Sequence, residues 1–401
     1  MHSRPIRPIE LLTLATLDQL AVAMSQQGLS VLSVSFKEYA HLGVAQLGIL
    51  FATVALGAVI GMIPSGIALD RLGSKRIAWI SGAAILVVLG TLAILLPKQF
   101  WALEILLGFV GFFLPALSLT GMTAITHIFD HSPKEGLVIG IRQSATPLGG
   151  ILAAALFPFL VMHSSLSMVL LFIAVNAGGW TMLFGWALPP ALHKAPAATP
   201  SSLAKHPLSS VKKLLHPLKY PALVSFLLSP GQYALLTYAI LDLHDRWQIS
   251  IGIAGPIIAL ALFGGLLTRI LMGKLADKGI STPRLMMYTG SVSITSLLIW
   301  AVLPRNTPIV FILPLFFLLG SGLDGWNALL TSWITRNSAS SQRGMALGLT
   351  GMAGFIGVVL FLPIFGLMIR LFQSYRPIWI LLAAIYGVAL IVLRKVSLKT
   401  S

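Results

Sequence analysis

The chain contains no cysteine. That removes disulfides, thiolate metal sites and a cysteine nucleophile, and it leaves the compartment open. Charge is almost as scarce: 9% of residues are charged, against about 25% in a soluble domain. Acids are the rarest, with 11 Asp and Glu against 27 Lys and Arg in 401 residues. No water-facing surface can be assembled from so few charges. There is no Walker phosphate loop, so ATP does not drive the protein directly. There is no nucleophile elbow and no pair of catalytic carboxylates, so an enzyme is not expected. The nine histidines are scattered, mostly in loops or at span ends, without metal-ligand spacing; neither a metal nor another cofactor is expected. The short alternating segments of a β-barrel are also missing.

What is present is apolar. Hydrophobic residues make up 57% of the chain and the mean hydropathy is +0.92. Runs of about 20 residues, enough to cross hydrocarbon, follow one another throughout. In lipid each run must satisfy its own backbone, so each is a helix. The pattern predicts twelve spans near 9–36, 44–69, 76–97, 100–128, 136–162, 165–189, 220–243, 251–276, 284–303, 308–335, 344–371 and 376–393. The start, M-H-S-R-P-I-R-P-I-E, runs straight into the first span, and no cleavable signal is expected. The net charge of +16 first suggests nucleic acid. The basic residues, however, lie mostly in short loops between spans, so the lipid bilayer is the expected partner and nucleic acid is not. With both termini cytoplasmic, 19 Lys and Arg fall inside, 6 outside and 2 within spans. The positive-inside rule therefore selects that orientation, in a bacterial inner membrane.

Residues 190–219 are rich in Pro, Ser and bases and lack acids. They read as a cytoplasmic linker between a bundle at 1–189 and a bundle at 220–401. It is either a plain basic tether or one with a short helix at Val211–Leu215 resting on anionic lipid.

The two halves echo each other. Gly66 and Asp70 match Gly273 and Asp277 at an offset of 207, and Gly136, Gly140 and Gly149 match Gly344, Gly348 and Gly357 at 208. Parallel repeats of this kind are a transporter architecture with the substrate site between them. The loop after span 2 carries Gly66, Asp70, Arg71, Gly73, Lys75 and Arg76. This resembles the signature of the major facilitator superfamily, G-x-x-x-D-R-x-G-x-[KR]-[KR]. A weaker copy after span 8 keeps Gly273, Asp277, Lys278 and Gly279. The resemblance covers essentially the whole chain. It implies an all-α fold of twelve transmembrane helices in two pseudo-symmetric six-helix bundles, working by alternating access, with spans 1, 4, 7 and 10 lining the cavity. It also implies that Asp70 belongs to an ion-paired latch on the cytoplasmic side, with Gly66 permitting close helix approach. In span 5, G-I-R-Q-S-A-T-P-L-G-G (Gly140 to Gly150) departs from the Gly-Pro motif of the family's drug antiporters. It is more similar to the cyanate and nitrate permease-like branch.

Four charges lie inside the spans: Asp18, Arg142, Arg269 and Asp324. Each costs about 2.5–3.5 kcal/mol on insertion scales, so each should face a partner or a wet cavity. Their repeat counterparts are Ser225, Thr350, Met62 and Leu117, so the scaffold does not demand them. Asp18 shares a polar stripe with Gln19, Ser25 and Gln26 and is either a proton carrier or a static partner of Arg142. Asp324, beside Asn327 in G-S-G-L-D-G-W-N, binds substrate or a proton, pairs with Arg269, or marks a glycine packing seam. Arg142 and Arg269, one per half, can form a clamp for an anion; Arg269 can equally belong to the second copy of the latch. Pro230–Gly231 is expected to break span 7 beside Gln232 and Tyr233, a gate or substrate edge. Asp242, Asp245 and Arg246 read as a solvated rim.

The expectation is a monomeric secondary active transporter of a small organic or inorganic anion, proton-coupled as a symporter. Two alternatives stay open: an efflux antiporter for drugs or metabolites, and a transporter-like receptor.

Overall fold

The computed structural model describes residues 8–129, 135–188, 208–338 and 343–400. Most of the linker expected at 190–219 lies outside these. Among the described residues the chain is helical and carries no strand. The helices are α1 (Pro8–Val31), α2 (Ser33–Ala40), α3 (Val44–Leu95), α4 (Phe100–Ile128), α5 (Glu135–His163) and α6 (Leu166–Ala187). After the linker come α7 (Leu208–Ala234), a π-helical turn (Leu235–Ala239) and α8 (Ile240–Asp245). The remainder are α9 (Ile251–Asp277), α10 (Thr282–Val302), α11 (Ile309–Gly325), α12 (Asn327–Arg336), α13 (Arg343–Phe372) and α14 (Arg376–Thr400).

Ten described helical stretches are long and apolar enough to cross a membrane. One of them, α3, has 52 residues and would extend about 78 Å if straight, far more than one crossing of about 30 Å. It turns at Gly73, whose φ of 78° suits glycine alone, and so supplies two spans. Adding α1, whose Asp18, Gln19, Gln26 and Gln27 lower its hydropathy, gives twelve crossings. The expected boundaries agree with the helices to within a few residues, except that α14 runs to Thr400, seven residues past the expected end of span 12, and except at span 7. There the helix begins at Leu208, within the stretch expected to be linker, and runs unbroken through Pro230 and Gly231.

That continuity corrects the expected break. Proline accepts helical φ, and its cost is the lost hydrogen bond to the carbonyl four residues back. The disturbance appears one turn later, as the π turn at Leu235–Ala239.

The chain divides into two compact units. One comprises Met1–Leu29, Thr53–Ala153 and Leu160–Leu208; the other comprises Ser30–Ala52, Ala154–Phe159 and Ser209–Ser401. Each is held by close helix contact at small residues. In the first, Gly57 and Gly61 lie against the backbone of Gly108 and Phe112. In the second, Gly264 and Gly265 lie against Phe317 and Gly320. Gly57 and Gly264 are 207 residues apart, the same offset as the motif loops, so the repeat extends to the packing seams. Gly73 and Gly279 (φ 91°) are the only positive-φ glycines among the described residues, one in each motif copy. The matching turn, one residue early in the second copy, is a backbone signature of the repeat.

Candidate functional site

In the second unit, Asp324 is the penultimate residue of α11, two residues before the break in span 10 at Trp326, where α11 ends at Gly325 and α12 starts at Asn327. The break frees the Asp324 carbonyl from its usual intrahelical donor. Arg269, from α9, takes it: Nε donates to the Asp324 carbonyl at 3.1 Å and Nη2 donates to Oδ1 at 2.7 Å. Gln232 on α7 donates to the same Oδ1. The carboxylate is 2% exposed, and its Oδ2 is buried with no hydrogen-bond partner. Gly265 makes room for it, since a Cβ there would lie 2.7 Å from the Asp324 Cβ. The structure thus joins Arg269, Asp324 and Gln232, three of the residues singled out in the sequence. Tyr233 packs edge-on against Phe355 with centroids 6.2 Å apart. Asn327 is half-buried at the head of α12.

In the first unit, Asp18 and Arg142 are both buried. Asp18 Oδ1 accepts the Thr181 hydroxyl at 2.6 Å, and Arg142 Nη2 donates to the Ser118 carbonyl at 2.9 Å. Their charges attract, yet no direct ion pair joins them among the described residues. Asp18 Oδ2 and Arg142 Nε are left without partners. A Cβ at Gly121 would lie 2.7 Å from Arg142 Nη2, so that glycine seats the guanidinium. Gln19 bridges spans 5 and 4, donating to the Thr146 hydroxyl at 3.1 Å and accepting from Ser118 at 3.2 Å. Gln26 is half-buried. Of the stripe expected in span 1, Asp18, Gln19 and Ser25 are buried and point to different neighbours.

The motif loops are at work locally. Lys75 donates to the Leu188 carbonyl at 3.0 Å, past the end of α6, where a cation meets the negative end of the helix. Asp70, Arg71 and Arg76 are exposed, and among the described residues Asp70 forms no ion pair. Nothing lies within 4 Å of a Cβ added at Gly66 or Gly273, so the close approach expected at Gly66 is not made here. In the second copy, Arg336 pairs with Asp277 at 3.2 Å, both exposed; Arg269 belongs to Asp324 and not to this loop. Lys278 follows as the cap of α9.

One cluster escaped the sequence reading and another was misread by it. Glu104, five residues into span 4, accepts the Thr53 hydroxyl at 2.9 Å and leaves Oε2 buried without a partner. Asp242 and Arg246 are 0% and 7% exposed, not a solvated rim. Asp242 Oδ2 accepts the indole N–H groups of Trp300 and Trp379, each at 2.8 Å. Arg246 approaches Oδ1 at 3.3 Å and lies over the rings of Trp300 and Trp247. Only Asp245 keeps water contact, with 25% of its side chain exposed. Distant tryptophans supply the burial, and no local pattern announces it.

The family model of the Major Facilitator Superfamily matches residues 19–361. The chain belongs to the major facilitator superfamily. This superfamily member is therefore a membrane solute transporter, and the family points away from an enzyme. Among solved structures it resembles the nucleoside transporter NupG, at 16% identity and TM-score 0.76, over 96% of this chain and 98% of that one. A bacterial homologue of the human lysosomal transporter Spinster, inward-facing and unoccupied, matches at 12% identity and TM-score 0.73, over 96% of each chain. A POT family transporter in complex with a thioalcohol-conjugated peptide matches at 9% identity and TM-score 0.75, over 97% and 96%. At these identities the likeness establishes the fold. No curated protein matches the chain in sequence.

Proposed function

We propose that the protein is a proton-coupled symporter of a small anion, organic or inorganic, working by alternating access in a bacterial inner membrane with both termini cytoplasmic. Six-helix bundles at 1–189 and 220–401, tied by the linker, are its moving parts. One observation carries the reading. Arg269 is held by Asp324 through one carboxylate oxygen and the backbone, while the second oxygen, Oδ2, is buried and free of hydrogen bonds. A proton placed on Oδ2 neutralises the carboxylate and removes most of its hold on the guanidinium. Arg269 then offers its planar fork to a substrate carboxylate or phosphate-like group. Loss of the proton restores the pair and expels the anion. Proton and anion are thus bound together and released together, which is symport. Gln232 stays on Oδ1 and orients the carboxyl through the exchange. Asp18 and Arg142 are a second such pair, already apart and each with an unmet polar atom.

The test begins with a thermal-stability screen of small anions on the purified protein, since a ligand that binds the folded state raises its stability. Uptake of the hit into proteoliposomes should then follow an imposed pH gradient. Asp324→Asn should still exchange the anion but lose gradient-driven accumulation. Accumulation by Asp324→Asn equal to the wild type refutes coupling through this pair. A screen in which only uncharged polar solutes stabilise assigns the pair a fixed structural role.

A further inference from the structure

At the end of the second unit opposite the Gly273–Gly279 loop, three hydrogen-bond donors are buried and unmet: Arg246 Nε, Arg246 Nη1 and the indole Nε1 of Trp247. Buried donors are almost always bonded. The Arg246 guanidinium lies over the rings of Trp247 and Trp300, 5.2 and 4.8 Å from their centroids, and the two rings stack on each other at 5.2 Å. Its Nη2 donates to the Trp300 carbonyl at 3.1 Å, in the last turn of α10, where carbonyls lack intrahelical donors. Asp242 Oδ1 stands 3.3 Å from Nε, yet the two make no hydrogen bond. The other oxygen, Oδ2, is taken by the indoles of Trp300 and Trp379. The guanidinium is thus fixed by its faces and by one nitrogen, and its other two nitrogens remain available.

Two further arginines bear on this place. Arg305 is held in a turn closed by the Thr307 N–H and hydroxyl, which donate to the Pro304 carbonyl at 3.2 and 2.8 Å. Arg376 opens α14, its N–H donating to Ser374 Oγ at 3.3 Å. Both are exposed, and neither forms an ion pair among the described residues. Burial is the largest penalty on the Arg246 charge, and the charges of Arg376 and Arg305 add to it. Arg376 also stands in the first turn of its helix, where the dipole disfavours a cation and favours an anion. On α8, Asp245 is engaged by Lys37, which leaves Asp242 to balance three arginines. We infer that Arg246, Trp247, Arg305 and Arg376 form a binding site for a phosphate-type oxyanion, separate from Arg269 and Asp324. Such an anion brings several acceptor oxygens to unmet donors, and guanidinium groups match it in geometry as well as charge. A lipid phosphate headgroup and a free phosphate share this chemistry. Tryptophans at span ends mark headgroup depth, where either can reach the site. The inference stands independently of the proton–anion reading.

The test is thermal unfolding of the purified protein in neutral detergent, followed by tryptophan fluorescence at an ionic strength held constant with chloride. The probes are sodium phosphate, short-chain phosphatidylglycerol and, as a zwitterionic control, phosphatidylcholine of the same chain length. Phosphate or phosphatidylglycerol should raise the unfolding temperature by mass action. Arg305→Gln/Arg376→Gln changes only exposed side chains and should raise the half-saturating concentration about ten-fold, the scale of a lost hydrogen bond to a charged group. Trp247→Phe keeps an aromatic ring in the stack but removes one donor, and should raise it about three-fold. The response should persist in Arg269→Gln/Asp324→Asn, which leaves this end of the unit intact. A response to phosphate makes a free oxyanion the occupant. A response to phosphatidylglycerol, and to neither phosphate nor phosphatidylcholine, makes it a lipid headgroup. No response to phosphate together with equal responses to the two lipids overturns the inference. So does a response of undiminished affinity in Arg305→Gln/Arg376→Gln, or one that disappears in Arg269→Gln/Asp324→Asn.

Discussion

Removing Arg269 tests the buried pair most directly. Arg269→Gln deletes the only cation bonded to Asp324 among the described residues and leaves a carboxylate that is 2% exposed. Stranding one member of a buried pair costs about 3–5 kcal/mol. A stranded carboxyl has one escape, which is to take a proton. For an acid of ordinary pKa near 3.9 that costs about 4 kcal/mol at pH 7 and about 1.5 kcal/mol at pH 5, at 1.36 kcal/mol per unit. The cheaper of the two routes sets the loss. Destabilisation should therefore be about 3–4 kcal/mol near neutrality and fall below 2 kcal/mol at pH 5, by the same arithmetic. The sign is fixed by proton binding: the variant's folded state takes up a proton that the unfolded chain at pH 5–7 mostly lacks, so its relative stability improves as pH falls. Gln232 donates to Oδ1 whether or not the carboxyl is charged, so it does not cancel the trend. The double variant Arg269→Gln/Asp324→Asn leaves no charge stranded and should recover most of the loss at every pH. The assay is thermal unfolding in detergent followed by tryptophan fluorescence, for wild type, both single variants and the double, at pH 5 and 7.5. An equal loss for Arg269→Gln at both pH values, with no recovery in the double variant, would refute the reasoning.

Asp242→Asn keeps one oxygen that can still accept both indole N–H groups, but it puts an NH2 donor where Oδ1 faced the Arg246 guanidinium, and it strands Arg246. A loss of about 2–4 kcal/mol is expected, read as a lower unfolding temperature with altered emission from Trp300 and Trp379. Gly320→Ala forces a Cβ onto the Ala261 carbonyl of α9 and should cost about 1–3 kcal/mol through overpacking. Gly66→Ala meets nothing within 4 Å and should change thermal stability by less than about 0.5 kcal/mol; equal effects at the two glycines would undo the distinction. Asp70→Asn removes an exposed carboxylate without a described ion pair, so expression and melting should hold. If Asp70 serves a latch during the cycle, as the motif implies, the rate of solute uptake should fall, and unchanged uptake would reduce Asp70 to a topology residue.

The sequence by itself determined the class, the spans and the repeat. Hydrocarbon tolerates only helices, so twelve apolar runs could become nothing else, and the glycine offsets near 207 reappeared as packing seams and as the turns at Gly73 and Gly279. It also marked Asp18, Arg142, Arg269 and Asp324, because a charge deep inside an apolar run stands out; Glu104, five residues into span 4, was passed over. The partners of those charges were not legible. Asp18 faces Thr181 and Arg142 faces Ser118, while Arg269 closes on Asp324, and these choices depend on helix rotations that a one-dimensional pattern does not record. The expected break at Pro230–Gly231 failed for a related reason: proline sets a local preference, and the packing around it decided that the helix continues and that the π turn forms later. Asp242 and Arg246 were misread as a wet rim because three acids and bases near a span end look solvated. Only the tertiary structure could supply Trp300 and Trp379 from helices 58 and 137 residues away, since burial belongs to the neighbours a residue acquires in space and not to the residue itself.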